Sequence, residues 1–163
     1  MSTGIGRRRI IVAVVATLVI SSLATQASAE GRCSPASLQG TYAFRVKGTN
    51  VSNPSLPVGP FSAVGRNTYD GHGRMRGVIV VSLNGAMIST SYKGTYTLAD
   101  DCTGSKSAAL DIGLTVDFDF VVDSNLRGIQ MIVTQAGPAN ARADGLTISG
   151  SARKLFAAKA KKD

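Results

Sequence analysis

Residues 61–98 decide the fold, and they read FSAVGRNTYDGHGRMRGVIVVSLNGAMISTSYKGTYTL. Apolar and polar side chains alternate along three segments of this stretch, with the period of two that is typical of a half-buried β-strand. The segments are separated by Asp70-Gly71-His72-Gly73 and by Asn84-Gly85. Residues of these types favour tight reversals. The stretch therefore predicts three consecutive antiparallel strands joined by hairpins.

The same pattern continues on both sides and predicts about eight strands in all. Nearly all the connections are short, so strands that are consecutive in sequence should pair as antiparallel neighbours. Closing such a meander into a barrel removes its two unpaired edges. We therefore predict an all-β protein with an antiparallel up-and-down barrel, and a β-sandwich is the alternative. The predicted strands are 40–47, 61–69, 74–83, 86–98, 105–112, 115–122, 127–135 and 146–153.

The longest predicted connection is residues 48–60, which contain Pro54, Pro57 and Pro60 and show no periodicity. Proline restricts the unfolded chain, so this segment can be an ordered flap across one mouth of the barrel. An ordinary surface loop is the other interpretation.

Residues 1–29 have the features of a secretory signal peptide. Three arginines at 7–9 precede an apolar run at 10–20, and the segment ends in Ala27-Ser28-Ala29. We predict cleavage between Ala29 and Glu30, which leaves no transmembrane span and gives a secreted or periplasmic protein. Residues 30–155 then form a single β-barrel domain, followed by a basic flexible tail at 156–163.

The charge and the rare residue types restrict the function. The formal net charge is +8, but much of it lies before residue 30 and after residue 152, so the predicted domain is close to neutral and nucleic acid is not expected as a partner. The one histidine, His72, lies in a predicted turn. No nucleotide-binding loop or paired metal-ligand motif is present in the sequence, and we predict neither a cofactor nor a metal. Arg66, Arg74 and Arg76 are interpreted as a solvated outer face, with an anion site as the alternative.

The two cysteines, Cys33 and Cys102, are predicted to form a disulfide. They are the only cysteines in the chain, and an exported protein meets an oxidising compartment. The alternative, a catalytic thiol, needs a base beside it, and the sequence does not connect His72 with either cysteine.

The mature chain resembles a family of small exported bacterial proteins of unknown function. The resemblance rests on LQGTY at 38–42, AVG at 63–65, YDGHGRMRG at 69–77, GTYTL at 94–98 and DCTG at 101–104. A leading cysteine and a later Asp-Cys-Thr-Gly have the same spacing in that family, which supports pairing of Cys33 with Cys102. The family is similar at the fold level to the barrels of allene oxide cyclases and dirigent proteins. No residue here matches a catalytic motif of those cyclases, so the resemblance implies no catalytic residue.

Residues 117–120 alternate two carboxylates with two aromatic rings, so only one pair can face the core. We predict that Phe118 and Phe120 point inward and that Asp117 and Asp119 face solvent, because burying rings is favourable and burying unpaired carboxylates is costly. With the opposite orientation the carboxylates would line the lumen and could act as acid and base.

We expect the lumen or the mouth of the barrel to bind a small apolar or amphipathic molecule, because barrels of about eight strands can hold one small ligand. One alternative is a cyclase- or isomerase-like enzyme acting on a hydrophobic substrate, with Tyr42, Tyr69, Asp117 or Asp119 as its polar groups. A second alternative is a structural or host-interaction protein. We assign no catalytic residue. The residues expected to line a ligand site are Tyr42, Phe44, Phe61, Tyr69, Phe118 and Phe120.

Overall fold

In the computed structural model, residues 33–155 form a closed barrel of eight antiparallel strands. The strands are β1 Gly40–Asn50, β2 Gly59–Tyr69, β3 Arg74–Leu83, β4 Ala86–Leu98, β5 Thr103–Leu110, β6 Thr115–Val122, β7 Gly128–Gly137 and β8 Leu146–Lys154. They follow one another around the barrel in sequence order, and β8 pairs with β1 to close the sheet. The predicted barrel is confirmed, and the sandwich alternative is wrong.

The structure describes residues 33–155 only. The predicted signal peptide at 1–29, its cleavage site and the predicted tail at 156–163 lie outside the described residues. Within the described part of the chain, no helix is long and apolar enough to cross a membrane.

The β3–β4 connection is the two-residue hairpin that its sequence predicts. Leu83 pairs with Ala86, and the two residues between them, Asn84 and Gly85, have φ angles of 47° and 91°. Positive φ at both central residues matches the right-handed twist of the flanking strands, and Asn-Gly tolerates it best. This turn fixes the register of β3 against β4.

Several predicted strand limits are wrong, namely limits of β1, β2, β5, β7 and β8. The segment predicted to be irregular, 48–60, is shorter, because β1 continues to Asn50 and β2 begins at Gly59. Gly48 continues the ladder because it has no side chain: a Cβ there would overlap the Thr147 carbonyl oxygen. Strand β5 covers 103–110 instead of 105–112, because the turn that follows it includes Gly113 with a φ of 83°.

One end of the barrel, which we call the plugged end, is covered by a short 3₁₀ helix at Pro35–Leu38. Leu38 is fully buried in the hydrophobic core, and the Tyr96 hydroxyl donates a hydrogen bond to the Pro35 carbonyl at 2.9 Å. A disulfide joins Cys33, just before this helix, to Cys102 in the β4–β5 turn. The predicted disulfide is confirmed, and it fastens the start of the described chain to the barrel.

The predicted orientation of β6 is also confirmed. Phe120 is 3% exposed and Phe118 packs against the core, whereas Asp119 is exposed and Asp117 forms an ion pair with Arg142 at 3.2 Å. The register of β6 against β7 shifts between Asp117 and Phe118 without exchanging the two faces. The lumen is therefore aromatic at this strand, and the acidic-lumen alternative is wrong.

Candidate functional site in the barrel lumen

The lumen contains a cavity of about 70 Å³. One water molecule needs roughly 10–15 Å³ on this measure, so the cavity has space for about five to seven waters or for a small organic molecule. Its lining is largely apolar, and it includes Phe44, Phe61, Ile79, Val81, Phe118 and Met131.

The cavity extends to the end of the barrel opposite the 3₁₀ helix, which we call the mouth. Its lining there includes Leu56 from the β1–β2 loop, Ile112 and Leu114 from the β5–β6 turn, and Leu146 at the start of β8. Ile112 is 46% exposed, so the apolar lining continues outward to solvent at this turn. The loop that joins β1 to β2, residues 51–58, contributes Leu56 to the cavity lining. Of the two interpretations of the proline-containing segment, an ordered flap therefore fits better than an ordinary surface loop, and we call residues 51–58 the flap.

Two buried asparagines hold the flap in place. Nδ2 of Asn50 lies within 3.1 Å of the carbonyl oxygens of Asn53, Leu56 and Pro57, and its Oδ1 accepts the Asn53 backbone N–H at 2.8 Å. Nδ2 of Asn53 donates to the Ala136 carbonyl at 2.9 Å in the β7–β8 region. Side-chain amides therefore replace the missing strand ladder, and the loop is ordered against the mouth.

The most unusual residue of the cavity lining is Lys106 on β5, whose side chain is buried. Its Nζ lies 3.5 Å from Oη of Tyr69, 3.4 Å from Sδ of Met131 and 4.6 Å from the centre of the Phe118 ring. No carboxylate in residues 33–155 is buried, so within that range the amine has no internal counterion. Burial lowers the pKa of Lys106 from 10.5 to about 7, since the charged form is the one that loses hydration.

A buried amide and two buried phenols accompany this amine. Asn67 lines the same cavity, and its Oδ1 has no hydrogen-bond partner in the described structure, while its Nδ2 lies 3.6 Å from Sδ of Met75. Burial raises the pKa of Tyr69 and of Tyr92 well above the usual phenol value, so both keep their protons at neutral pH. The lumen thus contains neutral hydrogen-bonding groups within an apolar lining.

The predicted lining residues fall into two sets. Phe44, Phe61 and Phe118 line the cavity. Tyr42, Tyr69 and Phe120 are buried but lie outside its lining. The Tyr69 ring stacks edge-on against those of Tyr42 and Tyr96, at 5.4 and 4.9 Å between centres, and this layer lies towards the plugged end. Contact of any of the six with a ligand stays a prediction.

Lys106 and Asn67 are not among the residues predicted to line the site, although the alternation of inward and outward positions along their strands identifies both. Lys106 lies on the same face of β5 as Ala108 and Leu110, and Asn67 lies on the same face of β2 as Gly65 and Tyr69, so each occupies an inward position. A polar residue at an inward position of a small barrel is the signal that we overlooked.

The other polar candidates lie on the outside. His72 is exposed in the β2–β3 turn, where its backbone N–H donates to Asp70 at 2.7 Å. Arg66, Arg74 and Arg76 are exposed on β2 and β3, which fits the solvated outer face. None of these four side chains lines the lumen cavity.

Comparisons with known proteins support the fold and leave the family open. No protein-family model and no curated protein matches the chain. One similar solved structure, a de novo designed fluorescence-activating beta barrel, has 11% identity and a TM-score of 0.49, over 72% of this chain and 93% of that one. Another, "Structure of EF1p2_mFAP2b bound to DFHBI", has 13% identity and a TM-score of 0.50, over 77% and 99% of the two chains. The likeness to this second structure shows a common β-barrel fold.

Proposed function

We propose that the barrel binds one small, mainly apolar molecule in its lumen, with a polar group of that molecule facing Lys106 and Asn67. One observation carries the proposal: a largely apolar cavity that reaches the mouth also contains a buried amine and an unpartnered amide oxygen. Pockets of this composition, mostly apolar with a few converging polar groups, are typical of small-molecule sites.

The two polar groups define what the bound molecule must offer. A buried acceptor without a donor costs about 1–3 kcal/mol, and a buried amine is costly unless it is neutral or paired. A ligand with a single hydroxyl could donate to Oδ1 of Asn67 or accept from Nζ of Lys106, while its hydrocarbon part fills the apolar lining. Binding would then give Oδ1 of Asn67 a donor that residues 33–155 do not supply.

A similar barrel supports this proposal at the level of architecture. The solved structure of EF1p2_mFAP2b bound to DFHBI has a TM-score of 0.50 with this chain. A barrel of this fold can therefore carry a small molecule, and the lumen cavity is the candidate place for one here.

We also propose that the protein is exported and that its signal peptide is cleaved before Glu30. We propose further that it belongs to the family of small exported proteins that its motifs resemble, and that its barrel is of the allene oxide cyclase or dirigent type. The Cys33–Cys102 disulfide supports export, because such bonds persist in oxidising compartments. Intact-mass measurement of exported protein tests the cleavage, and a mature form that retains residues 1–29 would overturn it.

The binding proposal is tested by titrating the protein with 1-pentanol, which has one hydroxyl and a size suited to the cavity, while NMR chemical shifts are followed. The matched variants are Ala108→Leu and Ala109→Leu. Ala108 is buried in the cavity lining, whereas its neighbour Ala109 is exposed on the outer face of β5. The first substitution fills the cavity and the second does not.

We expect 1-pentanol to bind the wild type saturably. Ala108→Leu should bind it at least tenfold more weakly, and Ala109→Leu should bind it as tightly as the wild type does. Equal binding by all three proteins would place the alcohol outside the lumen and would overturn the proposal. Circular dichroism of each variant checks that the barrel remains folded.

A further inference from the structure

Lys106 is a primary amine held inside an apolar cavity without a salt bridge. Its neighbours on the adjacent strands are Tyr96 of β4 and Phe118 of β6, and the carboxylates nearest to it in the pairing, Asp117 and Asp119, lie on the outer face. The ionisable group that approaches its Nζ is the Tyr69 phenol, at 3.5 Å. A structural lysine would normally place its charge in water or against a carboxylate, and this one does neither.

We propose that Lys106 captures a small apolar aldehyde in the lumen as a reversible imine. This inference rests on the proposed function, because the aldehyde must first occupy the same cavity. It specifies the class of ligand: a carbonyl compound whose hydrocarbon chain lies against the apolar lining and whose carbonyl carbon reaches Nζ.

The reaction needs no reagent beyond the amine and the aldehyde. The nitrogen lone pair attacks the carbonyl carbon and forms a carbon–nitrogen bond. The carbonyl oxygen then leaves as water together with the two protons of the amine, and the product is a carbon–nitrogen double bond. Only a neutral amine can attack, and the pKa of about 7 leaves about half of Lys106 neutral at pH 7, against roughly one part in 3,000 for a lysine at 10.5.

An aldehyde fits the cavity better than a carboxylic acid does. A carboxylate would carry a full charge into an apolar lining, and pairing it with Lys106 would require the buried amine to be protonated, which burial disfavours. An aldehyde is neutral, and so is its imine once the amine has lost its protons. Neither the free aldehyde nor the neutral imine places a charge in the lumen.

The test treats the whole mature protein with pentanal and sodium cyanoborohydride at pH 7. An imine that takes up a proton is then reduced to a stable alkyl-lysine, and peptide mapping locates the alkyl group. Lys47 and Lys93, which are exposed, are internal references within the same sample. We expect Lys106 to be alkylated at least tenfold faster than either of them. Addition of 1-pentanol should slow the reaction at Lys106 and leave the two references unchanged.

The control variant is Lys106→Met, which keeps an unbranched side chain and removes the nucleophile. It should lose the fast alkylation, while Lys47 and Lys93 react as they do in the wild type and circular dichroism shows that the barrel remains folded. If the wild type binds 1-pentanol but Lys106 reacts no faster than Lys47 and Lys93, the imine proposal is wrong and the binding proposal stands. If neither 1-pentanol nor pentanal enters the lumen, both are wrong.

Discussion

Replacing Lys106 by Met should remove a pH dependence of stability that few other side chains of this protein could produce. Burial lowers the pKa of Lys106 from 10.5 to about 7, whereas the unfolded chain has the ordinary value. Between these two values the unfolded state binds more protons than the folded state. The free energy of unfolding of the wild type therefore rises with pH across this window and is lowest below pH 7.

The size of the effect follows from the same two values. Between about pH 6 and pH 9 the titration of one such group changes the free energy of unfolding by about 3 kcal/mol. Ending near pH 9 avoids the range above it, where the buried tyrosines, whose pKa burial raises, also affect stability. Urea unfolding at several pH values measures this change, and the difference between wild type and Lys106→Met cancels the contribution of the other groups.

The matched control is Lys93→Met on the outer face of β4. As the pH rises from 6 to 9, the free energy of unfolding of the wild type should rise by about 3 kcal/mol relative to that of Lys106→Met. Lys93→Met should differ from the wild type by a constant amount. A constant difference for Lys106→Met as well would show that the amine stays ionised in the folded state, and a buried amine that lacks both water and a counterion would be refuted.

Three further predictions concern the barrel and its two ends. Phe120→Ala should destabilise the protein by about 3–5 kcal/mol, because the ring is only 3% exposed. Asp119→Asn on the outer face should change the free energy of unfolding by about 0.5 kcal/mol or less, and urea unfolding compares the two variants. Replacing both Cys33 and Cys102 by Ser should cost about 4 kcal/mol, since the disulfide closes a loop of 69 residues, and a change below about 1 kcal/mol would contradict the assigned role of the bond. Asn53→Ala should speed amide hydrogen exchange in the flap much more than in β3, because its Nδ2 joins the loop to the Ala136 carbonyl.

Local patterns determine the barrel, which is why the sequence predicts it well. Asn84-Gly85 needs only its own two residues to form the β3–β4 hairpin, and the alternation at 117–120 assigns faces from side-chain size and charge. The predicted bounds of the β1–β2 connection, 48–60, are wrong for a reason that lies outside that segment. Strand β1 extends to Asn50 because β8 lies close enough to pair with it, and the sequence of the loop does not contain that information.

The candidate site was predicted less well, because it depends on which inward residues leave space unfilled. Phe44, Phe61 and Phe118 line the cavity as expected, but Tyr42, Tyr69 and Phe120 have the same inward parity and lie outside its lining. Parity assigns a side chain to the lumen without fixing its depth there. The inward position of Lys106 could be read from the sequence, whereas its lack of a counterion depends on contacts across four strands.

The most direct test of the account is to find where a small alcohol binds. Intermolecular nuclear Overhauser effects between 1-pentanol and methyl-labelled protein report which methyl groups lie next to the bound chain. If the alcohol binds in the lumen, we expect contacts to Ala108 and Met131, which line the cavity near Lys106. Contacts confined to Val80 and Ile132, which are exposed on the outer face of the barrel, would contradict it.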